Sequence, residues 1–208
     1  MPIVHPLARH IVLPACFREI RAMGQEHLPA TGATILAPTH RSRWDPLVLS
    51  HATGRAVSGR DLRFMTTATE TTGIQGWFAC RLGAFPIDLK RPGIGSLRHG
   101  LDLLHQGEML TIFPEGGIFH QDTVSRLKPG LGRLAMQAEC TQPGLKVRVL
   151  PVAIRYSTGK PRWGCDAIVK IGKPIWVKDY PKDSTKRSAK KLTTDLSEAL
   201  QELYDRAI

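Results

Sequence analysis

The sequence predicts a single α/β domain, a sandwich with a largely parallel or mixed central sheet flanked by helices. Short apolar runs of strand length alternate with helix-length segments from residue 33 to residue 156. No low-complexity tract, internal repeat or Gly/Ser linker divides the chain. At 208 residues it is long enough for one core, a domain of this size burying roughly 70% of its unfolded surface. The whole chain, 1–208, is therefore read as one domain, with 1–30 as a membrane-surface segment and 183–208 as a C-terminal helix.

The elements follow in order. Arg9 to Met23 mixes apolar and basic residues, and Pro14 opposes one unbroken helix, so a short surface helix is expected there. "ATILA" (33–37) reads as a buried strand leading to His40, and "PLVLSHAT" (46–53) as the helix after it. "LRFMTT" (62–67) is a second strand, "GIQGWFACRLG" (73–83) a helical stretch and "AFPID" (84–88) a third strand. Ile94, Leu97, Leu101 and Leu104 recur at three- and four-residue intervals on one helix face, and Gly107 is the stop. "MLTIF" (109–113) is a strand and "GLGRLAMQAEC" (130–140) a helix. "VRVLPVAIRY" (147–156) reads as a strand broken or bulged near Pro151. "AIVKIG" and "PIWV" follow, and Leu192, Leu196, Leu200 and Leu203 stripe a last helix.

Composition narrows the function classes. The four cysteines are scattered, with no C-x-x-C pair and no histidine at zinc-ligand spacing, which points to a reducing compartment without structural zinc. Lysine and arginine number 29 against 18 acidic residues, a formal charge of +11. That favours anionic partners such as nucleic acid, an anionic membrane surface or phosphorylated substrates, the bland alternative being a solvated basic surface. No apolar run approaches the ~18 residues of a spanning helix, so neither a transmembrane anchor nor a secretory signal is expected. The expected location is cytoplasmic, with peripheral membrane association.

The residues that invite chemistry stand at strand ends. His40 and Glu115 each fall just after an expected strand, where this architecture gathers reactive groups on one rim. If His40 and Asp45 shared one helix, five residues at 3.6 per turn would set them about 140° apart. With His40 in the loop and Asp45 opening the helix, the turn brings the carboxylate to the ring. Asp45-Pro46 suits that arrangement, since aspartate is a preferred N-cap and proline a preferred first helical residue. The same fact supports a plainer reading in which Asp45 is only a cap. "FPEGG" (113–117) places two glycines after a carboxylate, either for close backbone approach to a ligand or as a turn closing a strand.

The ordered set is more specific than any member. H-x4-D after one strand, F-P-E-G after another about 70 residues later, and "VLPVAI" (149–154) beyond it resemble the glycerolipid acyltransferases, the 1-acylglycerol-3-phosphate acyltransferases and their relatives. The resemblance runs from Ala33 to Ile154. It implies that His40 is the catalytic base and Asp45 its partner. It further implies that Phe113, Pro114, Glu115, Gly116 and Gly117 belong to an acceptor-binding block, and that Pro151 is the proline of the last block. Where the family has a strand ending in a phosphate-binding arginine, this chain reads Asp88-Leu89-Lys90-Arg91, making Lys90 or Arg91 the candidate. Relatives acting on lysophosphatidate read E-G-T-R, but here the sequence is Glu115-Gly116-Gly117-Ile118, so Arg126 or Lys128 would have to replace the missing cation.

The implied activity moves a fatty acyl group from an acyl thioester, acyl-CoA or acyl carrier protein, to a lipid hydroxyl. The first acceptor is 1-acylglycerol-3-phosphate, giving phosphatidic acid; the alternative is a non-phosphorylated lipid or apolar alcohol. The thioester is a co-substrate, and no cofactor or metal is implied. Within enzymes, Ser42 raises a serine hydrolase as rival, but no G-x-S-x-G elbow surrounds it. A metal site from His40, Asp45 and Glu115 lacks histidines at H-E-x-x-H or H-x-H spacing. The rival from another class is a non-enzymatic basic module binding lipid or nucleic acid, supported by "KDYPKDSTKRSAKKL" (178–192). With few aromatics and no RNP-like or helix-turn-helix signal, nucleic acid is not expected as a partner.

Overall fold

A computed structural model describes residues 7–67, 73–87 and 94–206. A π-helical turn, Ala8–Val12, runs into the short helix α1 (Leu13–Cys16), and the chain then extends as β1 (Phe17–Met23). The short helix expected within residues 9–23 thus ends at Cys16, and the strand that follows it was not expected from the sequence. The wide turn, with Leu13 N–H bonded to the Ala8 carbonyl, immediately precedes Pro14, which has no N–H to offer an α-helical ladder. Beyond it, Phe17 is buried and the residues after it pair with another strand, so sheet contacts override the weak helical pattern.

The remaining strands and α-helices are β2 (Thr34–Pro38), α2 (Asp45–Thr53), α3 (Arg55–Ser58), β3 (Leu62–Thr67), α4 (Gly73–Arg81), β4 (Ala84–Ile87), α5 (Ile94–His105), β5 (Met109–Thr111), α6 (Gly130–Thr141), β6 (Arg148–Tyr156), β7 (Cys165–Ile171), β8 (Ile175–Trp176) and α7 (Thr185–Asp205). Among the described residues the strands form one sheet in the order β1-β7-β6-β2-β5-β3-β4, with β8 beside β6. β6, β2, β5, β3 and β4 are mutually parallel; β7 and β8 run antiparallel to β6. The chain is thus a single α/β domain with a mixed, largely parallel sheet.

Alternation along the strands builds the two sides. On β2, Ile35 and Ala37 face one cluster with Leu104, Leu131, Leu134, Leu192, Leu196 and Leu200 from α5, α6 and α7. Leu36 faces the other, with Leu13, Val48, Leu49, Leu150, Val152 and Ile154. Both faces are covered, as a mostly parallel sheet requires. The leucine stripe of α7 is buried at Leu192, Leu196 and Leu200, with Tyr204 completing it.

β6 is continuous, contrary to the expected break at Pro151. The Pro151 carbonyl accepts from Gly172 N at 2.8 Å, so this edge of the residue faces the crossing between β7 and β8. β7 pairing starts at Val152 and β8 pairing ends at Val149, so the N–H that proline lacks breaks no ladder bond.

Candidate active site

β2 delivers its last residues to the rim where β5 and β6 also end. Thr39 fastens this end: its N–H donates to the Val152 carbonyl at 2.9 Å, and its hydroxyl accepts from Ile154 N at 2.9 Å. The chain then leaves the sheet at His40. Its N–H donates to Glu115 Oε1 at 2.9 Å, and its carbonyl accepts from Phe119 N at 2.9 Å. The two strand ends are therefore stitched together at the histidine itself.

From His40 the backbone turns so that Asp45 looks back at it. Asp45 Oδ2 accepts from His40 Nδ1 at 2.9 Å, Arg41 N at 2.5 Å and Ser42 N at 2.8 Å, while Oδ1 accepts from the Tyr156 hydroxyl at 2.6 Å. The carboxylate is fully buried, with four donors around it. Asp45 is the first residue of α2, preceded by Trp44 with helical dihedrals, and no side chain caps this helix. Its oxygens face backward into the loop, so the expectation of an Asp45 N-cap gives way to a histidine-facing carboxylate. The Ser42 hydroxyl, accepting from Trp44 N at 3.1 Å, supports the turn instead.

Because the ionised carboxylate is acceptor-only, the His40–Asp45 bond places the ring proton on Nδ1 and leaves Nε2 as an acceptor. The His40 side chain is 18% exposed, and its ring stacks on Phe113 with centroids 4.1 Å apart. Burial, and next the charge of Asp45, push the Tyr156 phenol far above its ordinary range, which keeps it a donor. A fixed, partly open imidazole beside a buried carboxylate is suited to taking a proton from a hydroxyl.

Glu115 is also fully buried. Besides the His40 amide, its oxygens accept from Arg41 NH1 at 3.0 Å each and from Ser125 N at 2.9 Å. Arg41, only 1% exposed, further donates to the carbonyls of His40, Phe119 and Thr123 and through Nε to the Tyr204 hydroxyl at 3.3 Å. Arg41 thus has its counter-charge and neutral acceptors around it, and Glu115 its counter-charge and two backbone N–H donors.

Phe113 through Gly117 continue from β5 past His40. The Pro114 carbonyl accepts from Lys128 N at 2.7 Å. Gly116 has φ +72°, a conformation that favours glycine, and a Cβ there would press on the flexible Lys128 stem at 3.1 Å. Gly117 abuts the Phe119 ring. Arg126 and Lys128 are exposed on this loop, with no carboxylate pairing with either among the described residues. Lys90 and Arg91 lie outside the described residues. Among those described, no group of three or more His, Cys, Asp or Glu side chains converges as a metal site would require.

Arg41, Tyr156 and Tyr204 are site residues that sequence reasoning missed. Alternation along β6 offered one signal, since Tyr156 shares the parity of Val152 and Ile154, which pack on the face that also buries α2.

The chain has relatives among known proteins. A family model described as Acyltransferase matches residues 19–155, a span that includes His40, Asp45, the 113–117 loop and Pro151. A 1-acyl-sn-glycerol-3-phosphate acyltransferase of Bacillus subtilis is 26% identical over 192 residues, covering 90% of this chain and 89% of that protein. The Streptococcus pneumoniae protein of the same description is 30% identical over 122 residues, 57% of this chain but 40% of its own length. The crystal structure of a Thermotoga maritima 1-acyl-sn-glycerophosphate acyltransferase superposes with a TM-score of 0.72 at 17% identity, over 98% of this chain and 77% of that one, a likeness of fold. Among the described residues no helix is long and apolar enough to cross a membrane. With two thirds of its length matched by one family model that takes in both strand-end motifs, the chain belongs to the acyltransferase family.

Proposed function

We propose that this acyltransferase moves a fatty acyl group from an acyl thioester, acyl-CoA or acyl carrier protein, to the free hydroxyl of 1-acylglycerol-3-phosphate, yielding phosphatidic acid. The carrying observation is the His40 ring held through Nδ1 by buried Asp45, with Nε2 left as the acceptor. In this reaction Nε2 takes the acceptor hydroxyl's proton as that oxygen attacks the thioester carbonyl. Asp45 stabilises the imidazolium that forms. Collapse of the tetrahedral intermediate breaks the C–S bond, and the departing thiolate recovers the proton from His40. The ester oxygen is the acceptor's own, so no enzyme nucleophile is consumed.

The phosphorylated acceptor is supported by the names of the bacterial relatives, and exposed Arg126 and Lys128 beside the 113–117 loop are its proposed partners, together with Lys90 and Arg91. Phe113 is proposed to line the acceptor's approach as it stacks on His40. Pro114, Gly116 and Gly117 shape that loop. Glu115, whose oxygens are engaged within the protein, is proposed to act on the acceptor by fixing the loop. One observation favours a second reading, a non-phosphorylated lipid acceptor: Gly117-Ile118 stands where lysophosphatidate-acting relatives carry a hydroxyl and a guanidinium. The proposed location is a peripheral one on the cytoplasmic face of an anionic membrane.

Thiol release by purified protein, with each donor in turn and 1-acylglycerol-3-phosphate or 1-acylglycerol as acceptor, tests the proposal. Release with the phosphorylated acceptor at much lower KM is the expected result. Equal KM for the two would favour the second reading, and no release with either would remove both.

A further inference from the structure

The edge of the sheet that carries His40 also carries an outward-facing apolar and cationic feature. β6 runs parallel to β2 and ends at Tyr156, whose hydroxyl touches Asp45, so the turn after it leaves the sheet on the His40 side. β7 returns antiparallel from Cys165, and β1, parallel to β7, starts at the same edge with Phe17. The 157–164 turn and the helical segment before Phe17 are consequently neighbours, joined where Gly164 N donates to the Cys16 carbonyl at 2.8 Å. With strands ~4.8 Å apart, β7 lies about 10 Å across the sheet from β2.

Trp163 stands on this turn, 81% exposed. The protein's other three tryptophans have partners: Trp44 packs edge-on to Phe17, Trp77 lies under Arg81, and Trp176 lies under Arg148 and Lys178. Trp163 has no such ring contact among the described residues. The turn reads Ser-Thr-Gly-Lys-Pro-Arg-Trp-Gly, with two cations and no carboxylate, and both Lys160 and Arg162 are exposed. On the adjoining helical turn Ile11 is 60% and Leu7 43% exposed, beside exposed His10. An indole with flanking cations suits the boundary between headgroups and acyl chains, where the ring meets apolar matter and the charges meet phosphate. An acidic protein surface would use the cations but gives no reason for an outward indole.

We infer that the 157–164 turn, led by Trp163 with Lys160 and Arg162, docks the catalytic edge of the protein onto an anionic phospholipid bilayer, with the exposed Leu7 and Ile11 as a second apolar contact. The inference rests on the reading that the acceptor is a membrane lipid. It sets the open edge at His40 toward the source of that lipid.

The test is co-flotation of the full chain with phosphatidylcholine vesicles with and without phosphatidylglycerol, for wild type, Trp163→Ser and Lys160→Gln/Arg162→Gln, alongside thermal melting. Rates with a short-chain 1-acylglycerol-3-phosphate below its micellar concentration are measured in parallel. Trp163→Ser should partition onto phosphatidylglycerol vesicles ~10-fold more weakly, and the double variant roughly tenfold or more weakly with reduced salt sensitivity. Melting temperature and the rate on the monomeric acceptor should stay unchanged. A Trp163→Ser protein that partitions like wild type overturns the inference. So does loss of affinity for an acidic carrier protein in the double variant without loss of vesicle binding. Wild type that is active on the monomeric acceptor but never floats defeats the docking alone, whereas firm flotation without acyl transfer to any acceptor defeats the functional reading alone.

Discussion

The hydroxyl of Tyr156 donates to Asp45 Oδ1 at 2.6 Å, so the last residue of β6 holds the oxygen of the carboxylate that His40 does not use. The Tyr156 ring also stacks on Phe17, with centroids 5.8 Å apart. Tyr156→Phe keeps that packing and removes one donor from a buried anion, which should cost ~1–3 kcal/mol of stability. The carboxylate it leaves behind is held less firmly against His40 Nδ1, so kcat should fall as well. Urea unfolding and initial rates measure both effects; a variant with unchanged kcat would make Tyr156 a packing residue only.

Asp45→Asn distinguishes a cap from a catalytic partner. Asparagine caps helices about as well as aspartate, so capping alone predicts little change. The observed carboxylate accepts four hydrogen bonds, and an amide in its place must aim N–H groups at donors. Stability should therefore drop by ~1–3 kcal/mol and kcat by ~10²–10⁴. Wild-type turnover in the asparagine variant would remove Asp45 from the mechanism.

His40→Ala should leave a folded protein, since the ring stands partly open at the rim, with acyl transfer reduced by ~10²–10⁴. Thermal unfolding beside initial rates checks this, and near wild-type turnover would sink the general-base role.

Arg41 and Glu115 form a buried pair whose separation leaves an uncompensated charge. Either Arg41→Met or Glu115→Leu should destabilise the fold by ~3–5 kcal/mol, while the apolar double variant Arg41→Met/Glu115→Leu should be much milder than the sum. Denaturant unfolding of the cycle measures the coupling; additive losses would mean that the ion pair is not what binds the loop to the His40 turn.

His51 gives the fold an acid sensitivity. Burial first, then the charges of Arg9 and His10, lower its pKa below the ordinary 6.5, and its Nδ1 is buried without a hydrogen-bond partner among the described residues. The unfolded chain thus binds the proton more readily than the folded one. The stability from neutral His51 is fully present above pH 6.5 and is lost as pH falls toward the lowered value. His51→Gln should flatten that decline, as unfolding measured at neutral and mildly acidic pH would reveal; an unchanged slope would assign it to other groups.

The parallel strands and the two strand-end motifs were legible because buried strands are short, apolar and bounded by turn residues. β1 was not, since at the sheet's edge Phe17, Ile20 and Ala22 give only a partial alternation that a helix also tolerates. Pro151 misled for a similar reason: proline disfavours a ladder in general, but here its missing N–H falls where the neighbouring strand changes. The His40–Asp45 contact was foreseeable from the loop between them. The direction of the Asp45 carboxylate was not, because the same residue type suits a cap and a histidine partner. Arg41 was hidden altogether, since arginine in a loop ordinarily points to water, and the partners that make its burial tolerable, Glu115, Tyr204 and the Phe119 and Thr123 carbonyls, are distant in sequence.

Tyr204 meets Arg41 across 163 positions of sequence, and Arg155, whose guanidinium lies 4.5 Å from the centre of the same ring, also donates to the Tyr204 carbonyl at 3.1 Å. Such distant closures are slow to form and follow the local helices and turns. On the ribosome, His40 and Asp45 emerge long before the tyrosine that steadies the residue between them. The chain thus carries His40 and Asp45 through most of its synthesis before α7 brings the tyrosine that braces the turn between them.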